Sequence, residues 1–504
     1  MDSFRDVLDR RALPVLLGCL LALGYFLRLP RNPNENSRMS PVLAAFWHRT
    51  LRIDAYQEAG PLRTIDRSVR EGHYYSDKAP GSSLLAAVGY APLYAFEQLT
   101  GREASYLARK FAMTLSAVTI PVALALSALF SMASAAVGPR RGAAAVTAGL
   151  LGTPLLPFGS VLFGHALAGA LLFLAFALVR RAALGGQRPA WRDLVGVGAL
   201  LGLCAATEYT TVPACLLVCA YGLVVLRRRG ELGRLRTWAG PLLGSLPFGL
   251  LLGLYSWRCF GSPWSLGYEN LADPAFRSLH ARGLVGITWP RPVVAYYLTV
   301  HPARGLLASA PILLLSVLGG WAMCRRSEWR AEAILCGAVF LSLLAINAGF
   351  GMWWGGFSYT ARHLLPAVPF LVLPLAFLPG RWAVAAVPLF LVSALQSLCA
   401  AFGDPLISDA PLLAALGAAQ RGDGLLPWHG TWAFTHGVWA ALRGREGAGF
   451  SGFAPNAAGL LGLHGPVSAL PLLSSVAALF GWAALRPGGP RLPSRGAPAR
   501  PLGA

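Results

Sequence analysis

The chain has 504 residues, 55% of them hydrophobic and only 13% charged, whereas soluble domains carry roughly 25% charged residues. Apolar runs of about 20 residues recur along almost its whole length, enough to cross a hydrocarbon layer about 30 Å thick, which excludes an ordinary water-soluble fold and implies an all-α polytopic membrane protein. A net charge of +21 would suggest a nucleic-acid partner in a soluble protein, but here the arginines gather in short loops between apolar runs, the pattern of cytoplasmic membrane loops.

The leader, Asp2 to Arg11, precedes an apolar run from Leu13 to Leu29. No small-residue cleavage site follows, so this run reads as a retained first span. A polar loop, Pro30 to Gly81, comes next and holds Glu35, Asp54, Glu58, Asp66, Glu71 and Asp77 of the chain's 22 acids. Three apolar runs follow, Ser82 to Leu99, Phe111 to Ala136 and Ala143 to Ser160, and then Phe163 to Val179, which ends at Arg180-Arg181. The runs Leu194 to Thr207 and Thr210 to Leu226 meet at Glu208-Tyr209, with Arg188 and Arg192 before them and Arg227, Arg228 and Arg229 after. The positive-inside rule makes this a helical hairpin whose tip faces away from the cytoplasm.

From that anchor, Trp238 to Trp257 runs outward, residues 258–304 are extracytoplasmic, and Gly305 to Met323 returns to Arg325-Arg326. Ala331 to Asn347 goes out, Leu364 to Phe377 comes back, and Trp382 to Phe402 goes out again. Residues 404–457 form another extracytoplasmic segment, with Trp428, Trp432 and Trp439 as membrane-surface anchors. Ala458 to Leu485 closes the transmembrane domain, residues 1–485. The tail, 486–504, is rich in Pro, Gly and Arg and is expected to be disordered on the cytoplasmic side. The first polar loop and His165 both fall outside, so an even number of crossings must lie between them, yet three runs do. One of the three re-enters or lies flat, and the count is about 12 or 13 spans. The eight cysteines include no C-x-x-C pair, so they signal neither a disulfide framework nor a metal site.

Ionisable groups at the ends of spans are the functional candidates. Glu35 stands in Asn32-Pro33-Asn34-Glu35-Asn36-Ser37-Arg38, where amides and hydroxyls can orient a carboxylate as a general base for an incoming hydroxyl. Its alternative role is to cap a helix that begins near Ser37 or Ser40. In Gly72-His73-Tyr74-Tyr75-Ser76-Asp77-Lys78-Ala79-Pro80-Gly81, Lys78 is one of only two lysines, with Lys110. A compact ammonium suits a phosphate, although lysine also snorkels to headgroups. Arg362 begins a span at headgroup level, where a guanidinium can hold phosphate. His165 and Glu208 lie at span ends, and Tyr268, Glu269, His280 and Arg304 in the 258–304 segment can complete a substrate cavity.

The order of these features resembles the GT-C superfamily of integral-membrane glycosyltransferases, in particular the branch of protein O-mannosyltransferases and lipid A aminoarabinose transferases. Asn34-Glu35-Asn36-Ser37-Arg38 stands where that family places an acid in the first outside loop, and Asp77-Lys78-Ala79-Pro80 matches its D/E-K-x-P element. Phe163-Gly164-His165-Ala166, Thr207-Glu208-Tyr209, the stretches from His301 to Leu306 and from Gly356 to Pro366, Pro455-Asn456 and Gly462-Leu463 look like later motifs. The resemblance implies a GT-C-like bundle with a long first extracytoplasmic loop, in the bacterial cytoplasmic (inner) membrane with its active site outside.

It implies transfer of a sugar, with inversion, from a polyprenyl-phosphate donor to a hydroxyl of a lipid, glycan or protein acceptor. Glu35 would be the base, and Lys78 and Arg362 would bind the lipid phosphate. Asp77, with His73 or His165, would hold a divalent cation or orient Lys78, while Glu208, Tyr209, Tyr268 and Arg304 would line the substrate site. Two departures are visible. The first-loop acid is single where many relatives have an Asp-Glu pair, and alanine replaces the first proline of Lys-Pro-Pro. A transporter or lipid flippase without transferase activity is the rival reading, since many spans and intramembrane polar groups suit alternating access. Against it stand the lack of an internal repeat and the clustering of acids in one outside loop.

Overall fold

Apolar segments removed from water must satisfy every backbone N–H and C=O internally, so they fold as helices. The structure is a computed structural model and describes residues 11–28, 32–58, 60–184, 188–302, 304–356, 358–403, 405–406 and 454–486. Residues 407–453, with Trp428, Trp432 and Trp439, and the tail from 487 onward lie outside the described residues. The helices are α1 (Ala12–Leu23), α2 (Pro33–His48), α3 (Gly81–Thr100), α4 (Tyr106–Val137), α5 (Pro139–Leu151), α6 (Gly164–Leu184), α7 (Trp191–Thr207) and α8 (Val212–Arg228). They continue with α9 (Leu235–Phe260), α10 (Pro274–His280), α11 (Pro292–Thr299), α12 (Leu315–Cys324), α13 (Arg330–Gly349), α14 (Val368–Leu375), α15 (Ala383–Phe402) and α16 (Ala469–Leu485).

Among the described residues, seven helices are long and apolar enough to cross a membrane, namely those built on α4, α6, α8, α9, α13, α15 and α16. Three further apolar stretches, Ala12–Leu23, Pro311–Cys324 and Arg362–Leu375, are shorter. The 12 or 13 spans of the sequence reading do not all form as full-length helices. The run from Ala143 breaks at Gly152, ahead of Pro154. α3 has 20 residues but is not among the seven, and its Glu97 is buried against the Tyr90 hydroxyl at 2.5 Å and Arg109 Nε at 2.8 Å.

α6 is the axis of the bundle. Its span is 89% buried, as expected of a helix that is apolar all round, and α4, α7, α8 and α14 pack around it. α7 and α9 form a close pair because each carries a G-x-x-x-G spacing, Gly198–Gly202 and Gly240–Gly244. A Cβ on Gly198 would strike the Pro241 backbone, and one on Gly244 the Val195 carbonyl. Small residues at that spacing let two backbones approach without intervening side chains.

The exception to the helical reading is an antiparallel hairpin, β1 (Arg67–Arg70) and β2 (His73–Ser76). Its two-residue turn, Glu71-Gly72, has φ of 52° and 80°, the positive values a tight hairpin turn requires. The hairpin carries Tyr75, Ser76 and Asp77 into the interior, and a bridge from Ser68 to Leu271 ties it to the segment after α9.

Antiparallel neighbours sort the polar residues to two ends of the bundle. At one end, Arg180 pairs with Glu332 and lies 3.7 Å over the Trp329 ring, while Tyr221 donates to the same carboxylate at 2.6 Å. The arginines after α8 sit at this end. At the other end lie the start of α6, the α7–α8 turn, the end of α13 and the loop leading to α14.

A candidate active site at one end of the bundle

α2 begins where Asn32 accepts the Asn34 amide and Pro33 fills the first helical position, a combination that satisfies a free N–H and pre-sets φ. The helix therefore starts earlier than Ser37, and Ser37 and Arg38 project from its first turns into the interior. Ser37 donates to Asp77 Oδ1 at 2.9 Å and lies 2.8 Å from the Ser76 hydroxyl. Lys78 Nζ sits between two carboxylates, 2.8 Å from Asp77 Oδ2 and 2.9 Å from Asp66 Oδ2. Arg38 donates to Ser82 Oγ at 3.0 Å and to Glu208 Oε1 at 3.1 Å, and it also pairs with Asn34. His165 Nδ1 lies 3.4 Å from the same Glu208 oxygen.

Beside this network lies Arg362. It stacks 4.8 Å from the centre of the Phe163 ring. Among the described residues no hydrogen bond or ion pair reaches its guanidinium, and its Nε is buried without a partner. The adjacent His363 has an unpartnered Nε2 and packs 4.8 Å from the His165 ring. Gly355, with φ of 73°, allows this approach, since a Cβ there would lie 3.1 Å from both Arg362 Nε and His363 Nε2. The remaining wall is aromatic. Tyr209 meets the edge of Tyr268 at 6.2 Å, Tyr268 stacks on His280 at 4.8 Å, and Phe350 joins His280 to His363 at 5.5 and 5.7 Å.

The electrostatics follow from the burial. Burial alone would raise Asp66, but the Lys78 ammonium, followed by Arg362 and Arg38, holds its carboxyl below the ordinary range. Burial would likewise lower Lys78, and Asp66 and Asp77 reverse this and hold the ammonium above its usual value. Glu208 goes the other way, because burial pushes it up and Arg38, Arg362 and Lys78 offset that only in part. Tyr268 is pushed up to about 12, chiefly by burial. The cluster thus offers a locked ammonium, an uncommitted guanidinium and one carboxylate that titrates above the usual range. That is equipment for holding an anion and accepting a proton.

Several expected residues meet here: Asp77, Lys78, His165, Glu208, Tyr209, Tyr268 and Arg362. Arg304 approaches from the side, donating to the Gly356 carbonyl at 2.7 Å. Glu35 does not take the expected place. It is fully buried, with Oε2 2.6 Å from Lys110 Nζ and Oε1 accepting the Leu162 amide at 2.9 Å, so both oxygens are committed. His73 is also elsewhere, 3.2 Å from Asp54 and partly exposed. Asp77 spends its two oxygens on Ser37 and Lys78, and the described residues contain no group of three His, Cys, Asp or Glu side chains able to hold a metal ion. The expected cation at His73 and Asp77 does not fit this geometry. Asp66 and Arg38 went unrecognised because a loop acid and an arginine at a membrane boundary have ordinary solvated explanations.

No family model matches the chain, and no curated protein matches it. Among solved structures it is similar to ArnT from Cupriavidus metallidurans in the apo state, with 15% identity over 93% of this chain and 73% of that chain and a TM-score of 0.48. It is also similar to ArnT from the same organism bound to undecaprenyl phosphate, with 15% identity over 94% and 74% of the two chains and a TM-score of 0.44.

Proposed function

We propose that the protein is a membrane glycosyltransferase that takes a sugar from a polyprenyl-phosphate donor and passes it to an acceptor hydroxyl, on the membrane face opposite the arginine-rich loops. The observation that carries this reading is Arg362. Asp66 and Glu208 lie near enough to offset its charge, but neither bonds to it and its buried Nε has no partner, so its planar fork of N–H donors is left to an incoming anion. Lys78 presents a second positive charge in the same cluster, held by Asp66 and Asp77. A phosphate esterified to a lipid suits a site whose approach is bounded by apolar helices.

On this reading Lys78 and Arg362 hold the phosphate and stabilise the charge that grows on it as the C1–O bond breaks. The base is Glu208 rather than Glu35. Its Oε1 is fixed by Arg38 and His165, and no described residue donates to Oε2, which can take the acceptor's proton as the acceptor oxygen bonds to C1. The leaving electron pair goes to the phosphate oxygen, and attack from the opposite face inverts the anomeric centre. Aromatic rings from Tyr209 to His363 supply stacking surface for the sugar.

The test uses undecaprenyl phosphate as the binding probe and radiolabelled polyprenyl-phosphate sugars as donors. Lys78→Ala and Arg362→Ala are expected to weaken probe binding by about 10- to 100-fold, the worth of a charged hydrogen bond. Glu208→Gln is expected to lower kcat by about 10²- to 10⁴-fold while binding is retained. Undiminished transfer in all three variants would overturn the assignment.

A further inference from the structure

The arginine-rich end of the bundle carries a patch of positive charge that the described carboxylates do not match. Arg140 and Arg141 open α5, and Arg325, Arg326 and Arg330 lie in and beside the turn from α12 to α13. The two turns are fastened together, because Arg326 donates an Nη1 proton to the Ala136 carbonyl in the last turn of α4 at 3.3 Å. Arg140, Arg141, Arg325 and Arg330 are exposed, and among the described residues none of these arginines makes an ion pair. Glu328, the one acid of the α12–α13 turn, accepts from its neighbour Ser327 at 3.3 Å. Arg140 and Arg141 also stand in the first turn of a helix without an acid there, where the helix dipole disfavours cations. The countercharge for the patch therefore comes from outside the described residues.

Two tryptophans fix the level of this rim. Trp321 and Trp482 are 49% and 50% exposed in the last turns of α12 and α16. Each lies four residues before an arginine that covers its ring, Arg325 at 3.9 Å and Arg486 at 4.1 Å. α16 packs against α5, so both pairs belong to the same rim. Tryptophan concentrates at the boundary between membrane and water, and a guanidinium laid on an indole face keeps the N–H donors along its edge for a phosphate. Beyond the arginines the surface turns apolar. Val317, one turn before Trp321 on the same face of α12, is 76% exposed, and Ile334 on α13 is 61% exposed.

We propose that this rim binds an anionic phospholipid of the adjacent leaflet, its phosphate among Arg140, Arg141, Arg325 and Arg330 and its acyl chains along Val317, Trp321 and Ile334. Clusters of basic residues at a membrane boundary attract anionic headgroups, and the apolar wall beside this cluster gives the chains a surface that a soluble polyanion or an acidic protein would leave exposed. The rim lies at the opposite end of the bundle from Arg362, so the inference stands whether or not the transferase reading does.

The experiment counts, by native mass spectrometry, the phospholipids that the full-length protein carries out of detergent holding equal amounts of phosphatidylglycerol and phosphatidylcholine. The wild type is expected to keep phosphatidylglycerol in preference. Arg140→Gln/Arg141→Gln and Arg325→Gln/Arg330→Gln are each expected to weaken its binding by about 25-fold, at roughly fivefold for each basic group near an anionic surface. Arg140→Lys/Arg141→Lys keeps the charge and should keep the preference, and Glu328→Gln should increase it, which separates binding from any effect on membrane insertion. Arg52→Gln/Arg282→Gln at the mixed-charge end should leave it unchanged. Equal retention of the two lipids by the wild type, or a preference that survives in both double glutamine variants, would overturn the inference. Displacement of phosphatidylglycerol by inorganic phosphate would mean a site for a soluble anion. A preference that emerges only with Asp2→Asn, Asp6→Asn and Asp9→Asn would mean that the chain's own leader covers the rim, and either result would overturn the inference equally.

Discussion

Glu35 and Lys110 are joined across 75 residues, and the side chains are 0% and 3% exposed. Breaking a buried pair from one side leaves an uncompensated charge, so Lys110→Met should destabilise the protein by about 3–5 kcal/mol. The double variant Glu35→Gln/Lys110→Met should recover much of the loss, and chemical unfolding in detergent measures both. An unchanged midpoint in the single variant would contradict a buried pair. Asp66 and Lys78 make a pH prediction. The depressed Asp66 contributes stability that is present above its unfolded value, near 3.9, and is lost as pH falls through the lower folded value. The raised Lys78 contributes stability that is present below its unfolded value, near 10.4, and is lost as pH rises through the higher folded value. Asp66→Asn should therefore flatten the acid limb of a Tm–pH profile, and an unaltered limb would contradict the pairing. The scarcity of lysine marked Lys78 and Lys110 in the sequence, but the identity of their partners was not legible there. Which acid meets which ammonium depends on how α2, the hairpin and α4 pack, so Glu35 looked like a base and Asp66 like a solvated loop residue.

At the scale of elements, Gly164 begins α6 directly beneath the Glu208 carboxylate, and a Cβ there would collide with Glu208 Oε1 and lie 3.1 Å from Arg38 Nη2. Gly164→Ala should push Glu208 off Arg38. The expected result is a lower kcat, with binding of the lipid phosphate kept within about threefold because Lys78 and Arg362 are untouched. A fall in binding alone would assign the carboxylate to anchoring instead. The helices themselves were readable from apolar runs, and the α7–α8 hairpin was legible down to its tip at Glu208 and Tyr209 because arginines bracket it. The β-hairpin was not, since four-residue strands leave too short an alternation to separate from a polar loop. Its turn signal, Glu71-Gly72, is visible only once the strands are known. Interruptions inside helices also escaped, such as the π-helical turn Leu115–Thr119 within α4, whose residues read as ordinary apolar chain.

For the whole molecule, the division into an arginine-rich end and a mixed-charge end makes a sidedness prediction. An impermeant maleimide applied to intact cells should label Glu71→Cys and Arg282→Cys, and should reach Arg228→Cys only after permeabilisation; equal labelling of all three would refute the arrangement. The same division has a consequence for the energetics of the mixed-charge end. Arg38, Lys78 and Arg362 are matched by Asp66, Asp77 and Glu208, so the cluster is close to neutral before any ligand arrives. A phosphate monoester carries about −1.5 to −2 charges at neutral pH, and adding it to a neutral, poorly solvated enclosure favours protonation of whichever acid gives up its charge most readily. Glu208 is that acid, raised by burial and facing Arg38, His165, Arg362, Lys78 and Tyr268. The ligand should then carry a hydrogen ion in from solution with it. Titration calorimetry with undecaprenyl phosphate, in buffers that differ in ionisation enthalpy, would register this as buffer-dependent heats that vanish in Glu208→Gln. Identical heats in every buffer would mean that the cluster absorbs the anion without any exchange of protons with water.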